Sequence, residues 1–132
     1  ENLFVEQCSR CDDCIKACPT HILERGRGGF PLVNFSKGEC EFCGDCLNAC
    51  KQSAFVTDWE SRSPWQVKAS ATESCITYKG VVCRTCGEMC DARAIQFSPR
   101  VGGVSTPEFD DELCSGCGAC VAPCPNNSIK MT

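Results

Sequence analysis

Apolar and β-branched residues fall in short clusters along this chain, separated by polar, glycine-rich or cysteine-rich stretches. Four clusters read as short strands: "LFVEQ" (3–7), "SAFVTDW" (53–59), "WQVKAS" (65–70) and "SIKMT" (128–132). Two longer stretches, "HILERGRGGFPLVNF" (21–35) and "AIQFSPRVGGVSTPEF" (94–109), flank a Gly-Gly turn with apolar or β-branched residues and read as hairpins. Between them "CIKAC" and "CLNAC" space their cysteines as a short helix would. No apolar run approaches the roughly 20 residues that span a bilayer, and no signal-peptide core is visible. A membrane partner is therefore not expected.

The pattern repeats. Cys11, Cys14 and Cys18 map onto Cys83, Cys86 and Cys90 at an offset of 72, and Cys40 through Cys50 onto Cys114 through Cys124 at 74. Each half reads strand, cysteine loop, helix, hairpin, cysteine loop, helix, strand. The expected fold class is α+β, as two tandem bacterial-type two-cluster ferredoxin-like modules over 1–58 and 67–132. The charged, Ser- and Pro-containing stretch at 59–66 is the expected linker. Trp59 and Trp65 within it are expected to pack the modules together.

Composition explains why the cysteines matter. Leu, Ile, Val and Phe together number 26 of 132 residues, few for a chain that must bury a core, whereas cysteine alone supplies 16. Metal binding contributes folding free energy directly, because the site does not exist in the unfolded chain. The net charge of −4, with both signs interspersed, argues against nucleic acid as a partner.

The cysteines form four groups: Cys8, Cys11, Cys14, Cys18; Cys40, Cys43, Cys46, Cys50; Cys75, Cys83, Cys86, Cys90; and Cys114, Cys117, Cys120, Cys124. Disulfide frameworks spread their thiols to staple distant loops, and zinc sites read as two separated Cys-x2-Cys knuckles. Thiols stepping every third residue instead suit a cubane, with the fourth cysteine of each group ligating the cluster of its neighbour. Four 4Fe-4S clusters are expected. Cys8, Cys11, Cys14 and Cys50 hold the first, and Cys40, Cys43, Cys46 and Cys18 the second. Cys75, Cys83, Cys86 and Cys124 hold the third, and Cys114, Cys117, Cys120 and Cys90 the fourth.

Cys75 is the irregular member, with seven residues between it and Cys83. Lengthening that closure costs only about 1 kcal/mol, against the order of 10 kcal/mol that metal–thiolate binding supplies. The favoured expectation is that Cys75 ligates; a labile iron and a three-iron cluster are the alternatives. Gly44, Gly87, Gly116 and Gly118 are expected to let backbone N–H groups approach sulfur. Ile15, Leu47 and Val121, each after a third cysteine, are expected to seal the clusters. Asp12, Asp13, Glu41, Asp45, Glu88 and Asp91 are expected to be solvated. The lone His21 is expected to be a capping or surface residue.

In order and spacing, "CSRCDDCIKACPTHILERGRGGFPLVNF", "C-x7-CRTCGEMCDARAIQF" and "CSGCGACVAPCP" resemble the NapF family, ferredoxin-type accessory proteins of the periplasmic nitrate reductase system. The resemblance implies a cytoplasmic protein whose partner is the catalytic subunit of that reductase before export. It implies a redox-active role in maturation of the subunit. The alternative is a dedicated ferredoxin passing low-potential electrons to a redox enzyme, from an electron donor that the sequence does not identify. No catalytic apparatus of its own is visible, so the chain is not expected to be an enzyme.

Overall fold

A computed structural model describes residues 2–55 and 65–132. The chain divides into two compact units, Glu1–Pro64 and Trp65–Thr132. The expected linker therefore lies, Trp65 and Gln66 excepted, outside the described residues, as does Trp59.

In the first unit α1 (Asn2–Gln7) leads into the first cysteine group, followed by α2 (Asp13–Ala17). A hairpin of β1 (Leu23–Arg25) and β2 (Pro31–Val33) comes next, then the second group and α3 (Asp45–Ala49). The hairpin pairs Leu23 with Val33 and Arg25 with Pro31, and Gly28 and Gly29 supply the positive φ values of its turn. α2 and α3 pack on each other, so the helices that follow the two cysteine loops bring those loops together.

Two expectations fail here. "LFVEQ" is helical, not a strand: Phe4 packs edge-on against Phe55 at 5.2 Å, and its carbonyl accepts from Cys8 N–H at 2.9 Å. A helical turn closes its own hydrogen bonds, whereas a strand needs a partner, and residues 53–55 form none. The rest of "SAFVTDW" lies outside the described residues.

The second unit closes its ends on each other. β3 (Ala69–Ala71) pairs antiparallel with β6 (Ile129–Met131), and mutual bonds between Lys68 and Thr132 extend the ladder. Between them come a 3-10 turn (Ile76–Lys79), α4 (Thr85–Glu88) and the hairpin of β4 (Ile95–Ser98) and β5 (Thr106–Phe109). The expected helix within "CSGCGACVAPCP" is replaced by turns. Val121 N–H bonds Gly118 O and Cys124 N–H bonds Val121 O, both spanning three residues, while Pro123 has no N–H to extend them into an α-helix. Ala69, Ile95, Cys120 and Ile129 form the core, with Cys86, Cys90, Cys114 and Cys124 among the residues packed on it. Thiols occupy positions that aliphatic side chains fill in other domains.

Candidate metal centres

Two backbone devices shape the cysteine loops. In the first, second and fourth groups the residue two after the first cysteine is left-handed: Arg10 (φ 61°), Phe42 (φ 55°) and Gly116 (φ 78°). So is the residue just after the second cysteine: Asp12 (φ 65°), Gly44 (φ 77°) and Gly118 (φ 78°). Repeated steps into this region curl the chain tightly and turn its N–H groups toward the concave side, where anionic sulfur gathers. The third group departs from this. Thr77 sits in the inserted 3-10 turn, which Gly80 closes at φ 87°, and Arg84 takes φ −131°.

The second device follows every fourth cysteine. Three residues on, His21, Ser53, Arg93 and Asn127 are all left-handed, and the next residues, Ile22, Ala54, Ala94 and Ser128, are all buried. The reversal returns the N–H to the sulfur: Ala54 to Cys50 at 3.5 Å, Ala94 to Cys90 at 3.3 Å and Ser128 to Cys124 at 3.2 Å. Ile22 N–H does the same for Cys18. His21 is thus a turn residue. The signal was present in the sequence only as a fixed spacing after each cysteine, because the residue types at these positions differ.

The thiols converge across the groups. One cavity of about 330 Å³ is lined by Cys8, Cys11, Cys14 and Cys50, with Phe4, Phe55 and Ala54 in its wall. A second, also about 330 Å³, is lined by Cys75, Cys83, Cys86 and Cys124, with Thr77, Thr85 and Ile129. Cys40 lies within electrostatic reach of Cys46, Cys18 and Cys43, and Cys120 within reach of Cys117, Cys86 and Cys114. Cys90 packs on the same core as Cys120. No disulfide joins any of the sixteen.

Among the described residues no three Cys, His, Asp or Glu side chains meet as closely as a single metal ion requires. Four sulfurs, drawn from two separate groups, stand around each cavity. That donor set and spacing fit a multi-iron cluster and do not fit mononuclear zinc.

Burial pushes the Cys14, Cys40 and Cys86 thiols up to about 11 and Cys120 to about 12, with the charge of neighbouring thiols adding to it. Burial also acts upward on Cys18, but the Thr20 hydroxyl and the N–H groups of Ile22, Thr20 and Leu23 outweigh it and lower that thiol. Gathering four thiolates is unfavourable until a cation shares their charge, so these sites favour binding an iron core over standing empty and ionised.

Further side chains brace the loops. Trp65 Nε1 donates to Gly116 O at 2.7 Å and Lys68 Nζ to Cys114 O at 2.6 Å, so the segment before β3 grips the fourth loop. Trp65 thus serves its own unit. The Thr77 hydroxyl lies 3.1 Å from Cys75 Sγ and the Thr85 hydroxyl 3.6 Å from Cys83 Sγ. Nothing in the sequence singles out either threonine. Asp12 pairs with Arg25 and Asp13 with Lys51 at 3.9 Å, so these two carboxylates are not simply solvated; Glu41, Asp45, Glu88 and Asp91 are exposed. Ile15, Leu47 and Val121 are half-buried. Gly87 lies in α4, where an added Cβ would stand 2.6 Å from the Phe97 ring, so ring packing requires it as well as any N–H approach to Cys86.

Residues 7–55 and 79–128 each match a 4Fe-4S dicluster domain family. Two such domains and sixteen cysteines fit four 4Fe-4S clusters. The chain is 49% identical to "Ferredoxin-type protein NapF" of Haemophilus influenzae, covering 98% of this chain and 73% of that protein. It is 43% identical to the protein of the same description in Escherichia coli strain K12, over 98% of this chain and 77% of the other. More distantly, it is 30% identical to "Methylamine utilization ferredoxin-type protein MauM" of Methylophilus methylotrophus, over 92% of this chain and 61% of that one.

Proposed function

This chain belongs to the family of NapF ferredoxin-type proteins, and from that premise we propose that it carries four 4Fe-4S clusters as a redox-active accessory factor in maturation of the periplasmic nitrate reductase catalytic subunit. The proposed modules are 1–58 and 67–132. The proposed ligand sets are Cys8, Cys11, Cys14 and Cys50; Cys40, Cys43, Cys46 and Cys18; Cys75, Cys83, Cys86 and Cys124; and Cys114, Cys117, Cys120 and Cys90. The observation that carries them is the joining of thiols from separate groups around one cavity, Cys50 beside the Cys8 loop and Cys124 beside the Cys83 loop. The clusters supply one-electron chemistry when bound. The chain's own residues hold, insulate and hydrogen-bond them, and the proposed role is non-enzymatic.

Four clusters of about −2 each take the protein from −4 to roughly −12. Such a protein favours a partner with a basic docking surface and associates more weakly at high salt. In the cytoplasm, where thiols stay reduced, the proposed partner is the catalytic subunit before export. The test is to mix the anaerobically loaded protein with catalytic subunit prepared with and without its own iron–sulfur cluster. Preferential binding to the cluster-free form, followed by a gain of cluster there, is expected. Binding only to the mature subunit, with electron transfer and no cluster gain, would replace this reading with that of an electron-carrying ferredoxin.

A further inference from the structure

The internal repeat provides its own control, because the first and third sites occupy matched places in the two units. At the position two after the first cysteine stands Arg10 in the first site and Thr77 in the third. At the position two after the second cysteine stand Asp13 and Thr85. Directly after that second cysteine, Asp12 of the first site is matched by Arg84 of the third. The matched residues thus differ in charge or hydrogen-bonding character at all three places.

Their surroundings differ accordingly. Thr77 is buried at 4% exposure in the wall of the third cavity, its hydroxyl 3.1 Å from Cys75 Sγ. Once that sulfur is an iron-bound thiolate it has no proton, so Thr77 is the donor. The Thr85 hydroxyl oxygen stands 3.6 Å from Cys83 Sγ in an accepting position, whereas Ser128 N–H donates to Cys124 Sγ at 3.2 Å, closer than the 3.5 Å of its counterpart Ala54 to Cys50. Arg84, next in chain to Cys83, is exposed and lays its guanidinium 5.3 Å over Phe97, outside the lining of the cavity. In the first site Arg10 also lines the cavity and lies over Phe30 at 4.6 Å. Asp12 lies in the cavity wall with one carboxylate oxygen on Arg25 and the other, Oδ1, buried without a hydrogen-bond partner.

Hydrogen bonds to cluster sulfurs favour the reduced, more negative state; a buried carboxylate oxygen opposes it. We infer that the cluster held by Cys75, Cys83, Cys86 and Cys124 is reduced at a higher potential than the cluster held by Cys8, Cys11, Cys14 and Cys50, with the Thr77 hydroxyl and the buried Asp12 carboxylate oxygen setting the order. The seven-residue gap before Cys83 then has a purpose: its 3-10 turn carries the hydroxyl to the sulfur. The inference rests on the ligand sets proposed above.

The test is potentiometry of the full, anaerobically loaded chain with spin-resonance detection, after iron and sulfide are counted. Thr77→Val is expected to move one reduction step to lower potential, and Thr77→Ser to restore it. Asp12→Asn is expected to raise a different step, which lies below it in the wild type. If Thr77→Val keeps its iron and every step stays in place, or if the step it moves lies below the one that Asp12→Asn moves, the inference is overturned. A wild-type protein short of the roughly sixteen irons of four clusters, with the signal of a three-iron centre, overturns the ligand sets and the inference together, before any potential is read.

Discussion

At the residue scale, the cysteine loops depend on conformations that L-residues avoid. Gly116 shows the constraint most sharply. Its φ is +78°, and an added Cβ would lie 2.6 Å from Val67 O and 3.0 Å from the Trp65 indole nitrogen that bonds its own carbonyl. Left-handed backbone costs a non-glycine residue roughly 1–2 kcal/mol before any clash is counted. Gly116→Ala is therefore expected to loosen the fourth loop, seen as faster bleaching of visible absorbance and loss of up to about four irons per chain; unchanged iron and bleaching rate would show that Val67 and Trp65 yield freely. Elsewhere Arg10, Asp12, His21, Phe42, Ser53, Arg93 and Asn127 take positive φ without being glycine. Their side chains give no common signal, and only the spacing from a cysteine marks them. Residue type was therefore a poor guide to the turns, although cysteine spacing was a good one.

Among the elements, local pattern and tertiary pairing share control. Both hairpins were legible because a glycine turn and flanking β-branched residues are local properties. "LFVEQ" was not, since the same five residues make a strand beside a free edge and a helix without one; Phe4 meeting Phe55 and the Cys8 N–H bonding Phe4 O favoured the helix. In the second unit "WQVKAS" and "SIKMT" do pair, Ala69 with Met131 and Ala71 with Ile129. The inserted turn before Cys83 belongs to this scale. Cys75 is buried, with Thr77 on its sulfur, inside the cavity that also holds Cys83, Cys86 and Cys124. Cys75→Ser is expected to damage the third cluster alone, leaving about twelve irons per chain, or about fifteen if a three-iron centre survives. Iron analysis with spin-resonance spectroscopy separates these results, and an unchanged count near sixteen would mean that Cys75 does not ligate.

For the whole molecule, cohesion depends on the clusters. Chelation of iron under reducing conditions is expected to abolish cooperative unfolding and collapse the circular dichroism of the chain, because so much of the buried surface is thiol. A folded apoprotein, with its amide protons still protected, would show that Ile22, Ala69, Ile95 and Ile129 suffice without metal. The α+β class, the tandem dicluster plan and the cofactor type could all be read along the chain, since cysteine spacing is a local property tied directly to the geometry of a cubane. The helix at 2–7, the turns in place of the last helix, the grip of Trp65 and Lys68 on the fourth loop and the approach of Thr77 to Cys75 emerged only on folding. These depend on which groups come to stand opposite one another in space, and no periodicity along the chain records that.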